Sequence, residues 1–172
     1  GTDSTVIRLE CVDVGDRWSG ILDEGGYVRA DYAELREAVQ PLNGFRGGAN
    51  AIVRLNDVEI SDFGLPIFLG STNPSESDSS YMIDCTIEDG DSSGLVISGG
   101  ALDLEDVTVQ DCIDDGIMLS EATDQLLSNV RITGNGRHGL VTETGYGSTV
   151  RLSNCYVAFN GDTLPEIKIN SY

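Results

Sequence analysis

Leu104-Glu-Asp-Val-Thr-Val109, Leu127-Ser-Asn-Val-Arg-Ile132 and Leu152-Ser-Asn-Cys-Tyr-Val157 are three copies of one hexad: apolar, any, Asp or Asn, Val or Cys, any, Ile or Val. Met82-Ile-Asp-Cys-Thr-Ile87 and Leu55-Asn-Asp-Val-Glu-Ile60 repeat it upstream, and Leu9-Glu-Cys-Val-Asp-Val14 is a looser copy. The starts lie 46, 27, 22, 23 and 25 residues apart, and 46 is twice 23. A degenerate copy is therefore expected near residue 30, where Ala30, Ala33 and Leu35 keep the apolar offsets. A recurrence of this length marks a stacked repeat architecture, so it decides the fold before any single residue does.

Apolar positions at offsets zero, three and five cannot share one face of an unbroken strand, because strand side chains alternate with period two. They fit two short strands with a corner at the Asp or Asn, residue types that tolerate left-handed backbone and hydrogen-bond nearby main chain. A glycine and a third apolar strand follow: Gly20-Ile-Leu, Gly64-Leu-Pro-Ile, Gly94-Leu-Val-Ile, Gly116-Ile-Met-Leu and Gly139-Leu-Val, with Ile167 and Ile169 in the equivalent place at the end. Three short strands cannot bury a face alone, but stacked repeats give each strand a neighbour about 4.8 Å above and below. The expected fold is all-β, a right-handed parallel β-helix of about six to seven coils with three short strands per coil, forming one domain over residues 1–172. Two segments depart from the repeat. The Ser-rich stretch 70–80 reads as a polar loop insertion. Residues 31–40 are either the degenerate coil or a short helix, since Asp31 with Glu34 has capping-box spacing and Leu35, Ala38 and Val39 share a helical face.

Val130-Arg-Ile-Thr-Gly-Asn-Gly-Arg-His-Gly-Leu-Val141 and Val109-Gln-Asp-Cys-Ile-Asp-Asp-Gly-Ile-Met-Leu119 resemble the repeats of the pectate-lyase-like superfamily of parallel β-helices, and the resemblance runs from residue 5 to about 170. It implies the settings in which such helices occur, among them tail spikes, fibres and large surface adhesins. The function it implies is an extracellular, cell-surface or virion module for attachment, structural assembly or glycan recognition. A polysaccharide-degrading enzyme, hydrolase or lyase in type, is the alternative. Asp114-Asp115-Gly116 and Arg137-His138-Gly139 echo a polygalacturonase-like pattern, but the intact signature segments of the superfamily's pectate- and polygalacturonate-cleaving members are missing.

The 172 residues carry 29 Asp plus Glu against 10 Lys plus Arg, a net charge of −19. Nucleic acid is an unsuitable partner for such a chain, because phosphate binding depends on Lys and Arg. No apolar run reaches the roughly 18 residues of a membrane span. The carboxylate excess repels itself unless salt screens it or cations offset it, so adaptation to high salt is expected. Cys11, Cys85, Cys112 and Cys155 match no zinc or redox spacing. Cys85 and Cys155 fall on an inward offset otherwise filled by Val, which reads as buried free thiol; oxidation would leave three pairings open. Because β-helix ends present unpaired strand edges, a covering domain or oligomer partner is expected at one end or more.

Stacking the residues just before the strand glycines defines two rows. Trp18, Asp62, Ser92, Asp114 and Arg137 form one; Ser19, Phe63, Ser93, Asp115 and His138 form the other. Trp18, Phe63, Arg137 and His138 are candidates for a glycan-binding groove, the aromatics stacking on sugar faces. Glycoside hydrolysis needs two carboxyls, about 5 to 5.5 Å apart for retention or 6.5 to 9.5 Å for inversion. Asp114 with Glu121 or Glu143 is the first candidate pair, and Asp115 and His138 are further catalytic candidates. Seven residues past the unit starts stand Asp16, Asp62, Asp89 and Asp111. Like charges about 4.8 Å apart repel by about 0.9 kcal/mol even in water, so this column asks for Ca²⁺, Na⁺ or concentrated salt. Asp89, Asp91, Asp111 and Asp114 are the candidate Ca²⁺ ligands, that ion favouring six to eight oxygens. The glycine-rich stretches lack the Lys and the strand-to-helix setting of a phosphate cradle.

Overall fold

The computed structural model describes residues 7–9, 17, 19–22, 27–44, 52–70, 80–99, 102–120, 125–144, 149–161 and 165–171. Successive strands stack in parallel as a solenoid. Four coils show three separate strands each: Ser80–Ile83, Thr86–Gly90 and Leu95–Ser98; Leu102–Glu105, Thr108–Gln110 and Ile117–Ser120; Gln125–Ser128, Arg131–Thr133 and Leu140–Thr144; Val150–Ser153, Tyr156–Ala158 and Ile167–Ser171. In Tyr27–Arg36 and Ile52–Phe63 the first and second arms run on as one strand. The first two arms make an 11-stranded sheet, and the third makes a seven-stranded one.

The hexad explains this shape. Its Asp or Asn turns the corner between the first and second arms with left-handed backbone: φ is 56° at Asp57, 52° at Asp84, 54° at Asp106, 56° at Asn129 and 53° at Asn154. Reversing the pleat there lets offsets zero, three and five all point inward. Leu55, Met82, Leu104 and Leu127 stack in register at offset zero, as do Ile60, Ile87, Val109 and Ile132 at offset five, and all are buried. Each such side chain contributes roughly 1.5–3 kcal/mol by leaving water. The strand glycines mark where coils approach most closely. A Cβ on Gly116 would overlap the Ile132 side chain and the Gly139 carbonyl of the next coil.

The degenerate copy is present where the offsets place it: Ala30 pairs with Leu55, Ala33 with Val58 and Leu35 with Ile60. The short-helix alternative for residues 31–40 is therefore wrong. Residues 27–36 are strand, and Val39, assigned to the buried helical face, is 43% exposed. Asp31 does not cap a helix; it accepts a hydrogen bond from Arg29 Nε at 2.6 Å. The first hexad also shifts phase, because Leu9 pairs with Leu35 at offset five rather than zero. Residues 71–79 of the expected loop insertion, and Cys11, lie outside the described residues. At the last described coil Leu152, Ile167 and Ile169 are exposed and help line a recess of about 210 Å³.

Candidate functional site

The column seven residues past each unit start is a second corner. Glu37, Asp62, Asp89, Asp111 and Phe159 have φ between 54° and 61°, and Gly134 has 73°. Backbone demand for the left-handed region, which Asp meets with little strain, accounts for the carboxylates here. The four nominated metal ligands are not gathered by it. Asp89 and Asp111 face solvent at the corner, Asp91 pairs with Arg17 at 2.8 Å, and Asp114 sits half-buried between Ser92 and Arg137 in the backbone ladder. Among the described residues no three His, Cys, Asp or Glu side chains are grouped to hold a metal ion.

The row of Ser93, Asp115 and His138 is real, but it points inward. Main-chain bonds run from Gly94 N to the Asp115 carbonyl and from Gly116 N to the His138 carbonyl, at 3.0 and 2.9 Å. Asp115 Oδ1 accepts from His138 N at 3.0 Å and lies 2.7 Å from His138 Nδ1. These two side chains are only 3% and 5% exposed. Arg137 stands outside them, half exposed, with Nη1 3.8 Å from Asp115 Oδ2. Here the carboxylate ties two coils together and holds an imidazole, and the buried His138 is no groove-lining residue.

Phe63 does not belong to this row. It pairs with Gly90 and is fully buried, so it cannot stack on a sugar. A Cβ on Gly90 would overlap the Phe63 ring, which is why that position is glycine. Two extra residues between Gly64 and its strand, Leu65 and Pro66, shift the glycine relative to the other coils, and alignment by glycine misplaces Phe63 for that reason. Glu143 stands opposite Ser120, at the far end of the third arm from Asp114. The strand Ile117–Ser120 alone puts about 10 Å between their levels, and Asp114 lies before its start, so this pair is not assembled for catalysis. Trp18 and Glu121 lie outside the described residues.

Two further features stand out in the structure. One is a buried amide ladder just inside the second corner. Asn135 Oδ1 accepts from Cys112 N at 3.1 Å, and Asn160 Oδ1 accepts from Asn135 N at 3.1 Å and from Asn135 Nδ2 at 2.8 Å. Asn160 Nδ2 in turn donates to Glu166 Oε2 at 2.7 Å. Burial pushes the thiols of Cys85 and Cys112 up to about 11, marking them as core groups rather than nucleophiles. The other feature is an exposed aromatic pair on the outer face: the rings of Tyr156 and Phe159 lie 6.5 Å apart at 50°, with the Arg131 guanidinium 4.8 Å over the Tyr156 ring. Phe159 was visible in the sequence as the one aromatic in a corner column otherwise held by Asp, Glu and Gly.

A family model described as a right handed beta helix region matches residues 48–171. No curated protein and no solved structure matches the chain.

Proposed function

Because the chain belongs to the right-handed β-helix family, we propose that it is a recognition and attachment module that holds glycan on its outer coil face, at a cell surface or on a virion, without turning its ligand over. The observation that carries this reading is the state of Asp115 and His138. A general acid or base must come within hydrogen-bond reach of the substrate. Asp115 Oδ1 already accepts from His138 N and lies 2.7 Å from His138 Nδ1, and both side chains are buried. What remains for a ligand is the outer face, whose side chains stand in parallel rows on a stacked backbone.

The proposal includes adaptation to high salt, supported by ten Asp and Glu and no Lys or Arg between residues 80 and 120. The test is to incubate the protein with neutral and acidic polysaccharides while following reducing ends and unsaturated products, in parallel with retention on the same glycans immobilised. Retention without product is expected. Sustained product formation that disappears in Asp114→Asn would overturn the non-enzymatic reading and favour a polysaccharide-degrading enzyme.

A further inference from the structure

We infer that the outer face of the third-arm sheet is where two copies of this chain meet, coil axes antiparallel, in a dimer that molar salt promotes. The starting point is a failure of alternation. A sheet with one face in water carries apolar residues inward and polar residues outward, whereas strands covered on both faces read as unbroken apolar runs. The second arm follows the one-sided pattern, with Glu59, Thr86 and Thr108 in register on its outer face. The third arm does not. Ile67-Phe68-Leu69, Leu95-Val96-Ile97 and Ile117-Met118-Leu119 are apolar throughout. The first and third residues of each run are buried in the core. The middle residues, Phe68, Val96 and Met118, stand in register on the opposite side and are half-buried. Val141, next in that row, is only 3% exposed, so the face accepts packing against it.

Charge identifies the occupant. The chain carries −19, yet across these three coils the face presents the Phe68, Val96 and Met118 row beside Ser98 and Ser120, with no ionised group in either row. An acidic partner or an anionic membrane is repelled by the rest of the molecule, and a basic partner finds no carboxylate here to pair with. A second copy brings a face that is equally uncharged and ruled at the same strand spacing, so contact desolvates no charge on either side. With a two-fold axis lying along Leu95–Ser98, Val96 meets its own copy and Phe68 meets Met118 of the second copy, a sulfur–aromatic contact. Glu143 and Lys168, which follow Ser120 and Val141 in the two rows, fix the direction. Parallel coils would set each of them against its own like charge, and antiparallel coils do not. The seven described strands of this sheet, about 4.8 Å apart and about 13 Å long, offer roughly 400 Å² per copy, below the ~800 Å² of a standard stable interface. The pair is therefore weak, and repulsion between two acidic bodies keeps it apart until salt screens them.

The experiment is sedimentation velocity of the full chain over an about hundredfold range of concentration, in about 0.1 M and about 2 M NaCl. A monomer is expected at the lower salt and a reversible dimer at the higher, with the dissociation constant falling about tenfold or more between them. Met118→Glu places a carboxylate in the contact and should weaken the dimer about tenfold or more in the higher salt. Because the residue points outward, the variant's melting temperature in the lower salt should stay close to wild type. Packed sheets stand about 10 Å apart, so a bis-maleimide of that span should link two copies of Val96→Cys through position 96, as peptide mapping reads it. Thr108→Cys, on the second-arm face, carries the same native cysteines and should not link through position 108. A monomer at every concentration in the higher salt would overturn the inference. So would a dimer that Met118→Glu leaves intact, or one linked as readily through position 108 as through position 96. Should Met118→Glu fail to fold, the link through position 96 decides alone, and its absence overturns the inference. Binding of neutral phosphatidylcholine vesicles by a chain that stays monomeric would give the face to a lipid surface and overturn it as well.

Discussion

A single aspartate in this chain answers to backbone geometry before it answers to charge. The Asx column at offset two was legible as a corner because Asp and Asn alternate there, and only conformation explains that mixture. By charge the column at offset seven reads as an acid ladder, because Asp62, Asp89 and Asp111 stand out, while Gly134 in the same column carries the better signal. A glycine exchanging with Asp points to positive φ rather than to metal binding. Cys85 is a core residue at a Val position, and its chemistry yields a pH prediction. Its thiol is ordinarily near 9 and burial lifts it to about 11 in the folded chain. Between those values the unfolded state loses its proton while the folded state keeps it, so stability is fully present below pH 9 and falls as pH rises toward 11. Cys85→Val puts at this position the residue found at Val58, Val107 and Val130, and it removes one of the groups responsible. Urea unfolding at pH 8 and pH 10.5 should show the variant losing less stability than wild type, by on the order of 1–2 kcal/mol. Parallel losses in the two proteins would disprove the assignment.

At the scale of the element, the three-arm coil was readable because its apolar offsets are set by two corners, and each corner leaves a residue signature. The helix alternative for residues 31–40 failed because Ala33 and Leu35 also fit a strand, and pairing with Ile52–Phe63 settles the choice through a nine-residue register that a short isolated helix could not match. The amide ladder was not readable. Asn135 and Asn160 share their offset with Phe63, Gly90 and Cys112, so no single residue type marks the column. Its physical role follows from what each amide satisfies. Asn135 supplies an acceptor to the main-chain N–H of Cys112, a residue only 2% exposed, and donates to Asn160. Asn135→Ala would leave that buried N–H without its acceptor and open a small cavity, at a cost of about 2–3 kcal/mol. Chemical denaturation measures this directly, and a loss below 0.5 kcal/mol, the scale of an ordinary surface substitution, would mean that water replaces the amide.

The whole molecule carries its charge unevenly. The stretch from 80 to 120 holds ten acids and no base, whereas 125–161 holds three arginines and one acid, so −19 is a property of the upstream coils rather than of the surface as a whole. The distribution also determines how salt must act. Corner carboxylates in adjacent coils are spaced by the strand separation, about 4.8 Å. The screening length is about 8 Å at 0.15 M salt and about 3 Å at 1 M, so ordinary buffer leaves these neighbours repelling and molar salt does not. Melting temperature should therefore climb steadily with NaCl from 0.1 M into the molar range. Because Asp89, Asp91, Asp111 and Asp114 are not gathered as a ligand set, CaCl₂ at equal ionic strength should give a similar rise rather than a saturable jump at millimolar concentration. Indifference to both salts would show that the corner geometry holds its carboxylates far enough apart to be harmless. Saturation by millimolar Ca²⁺ would instead mark a bound ion, one whose ligands include residues beyond those four.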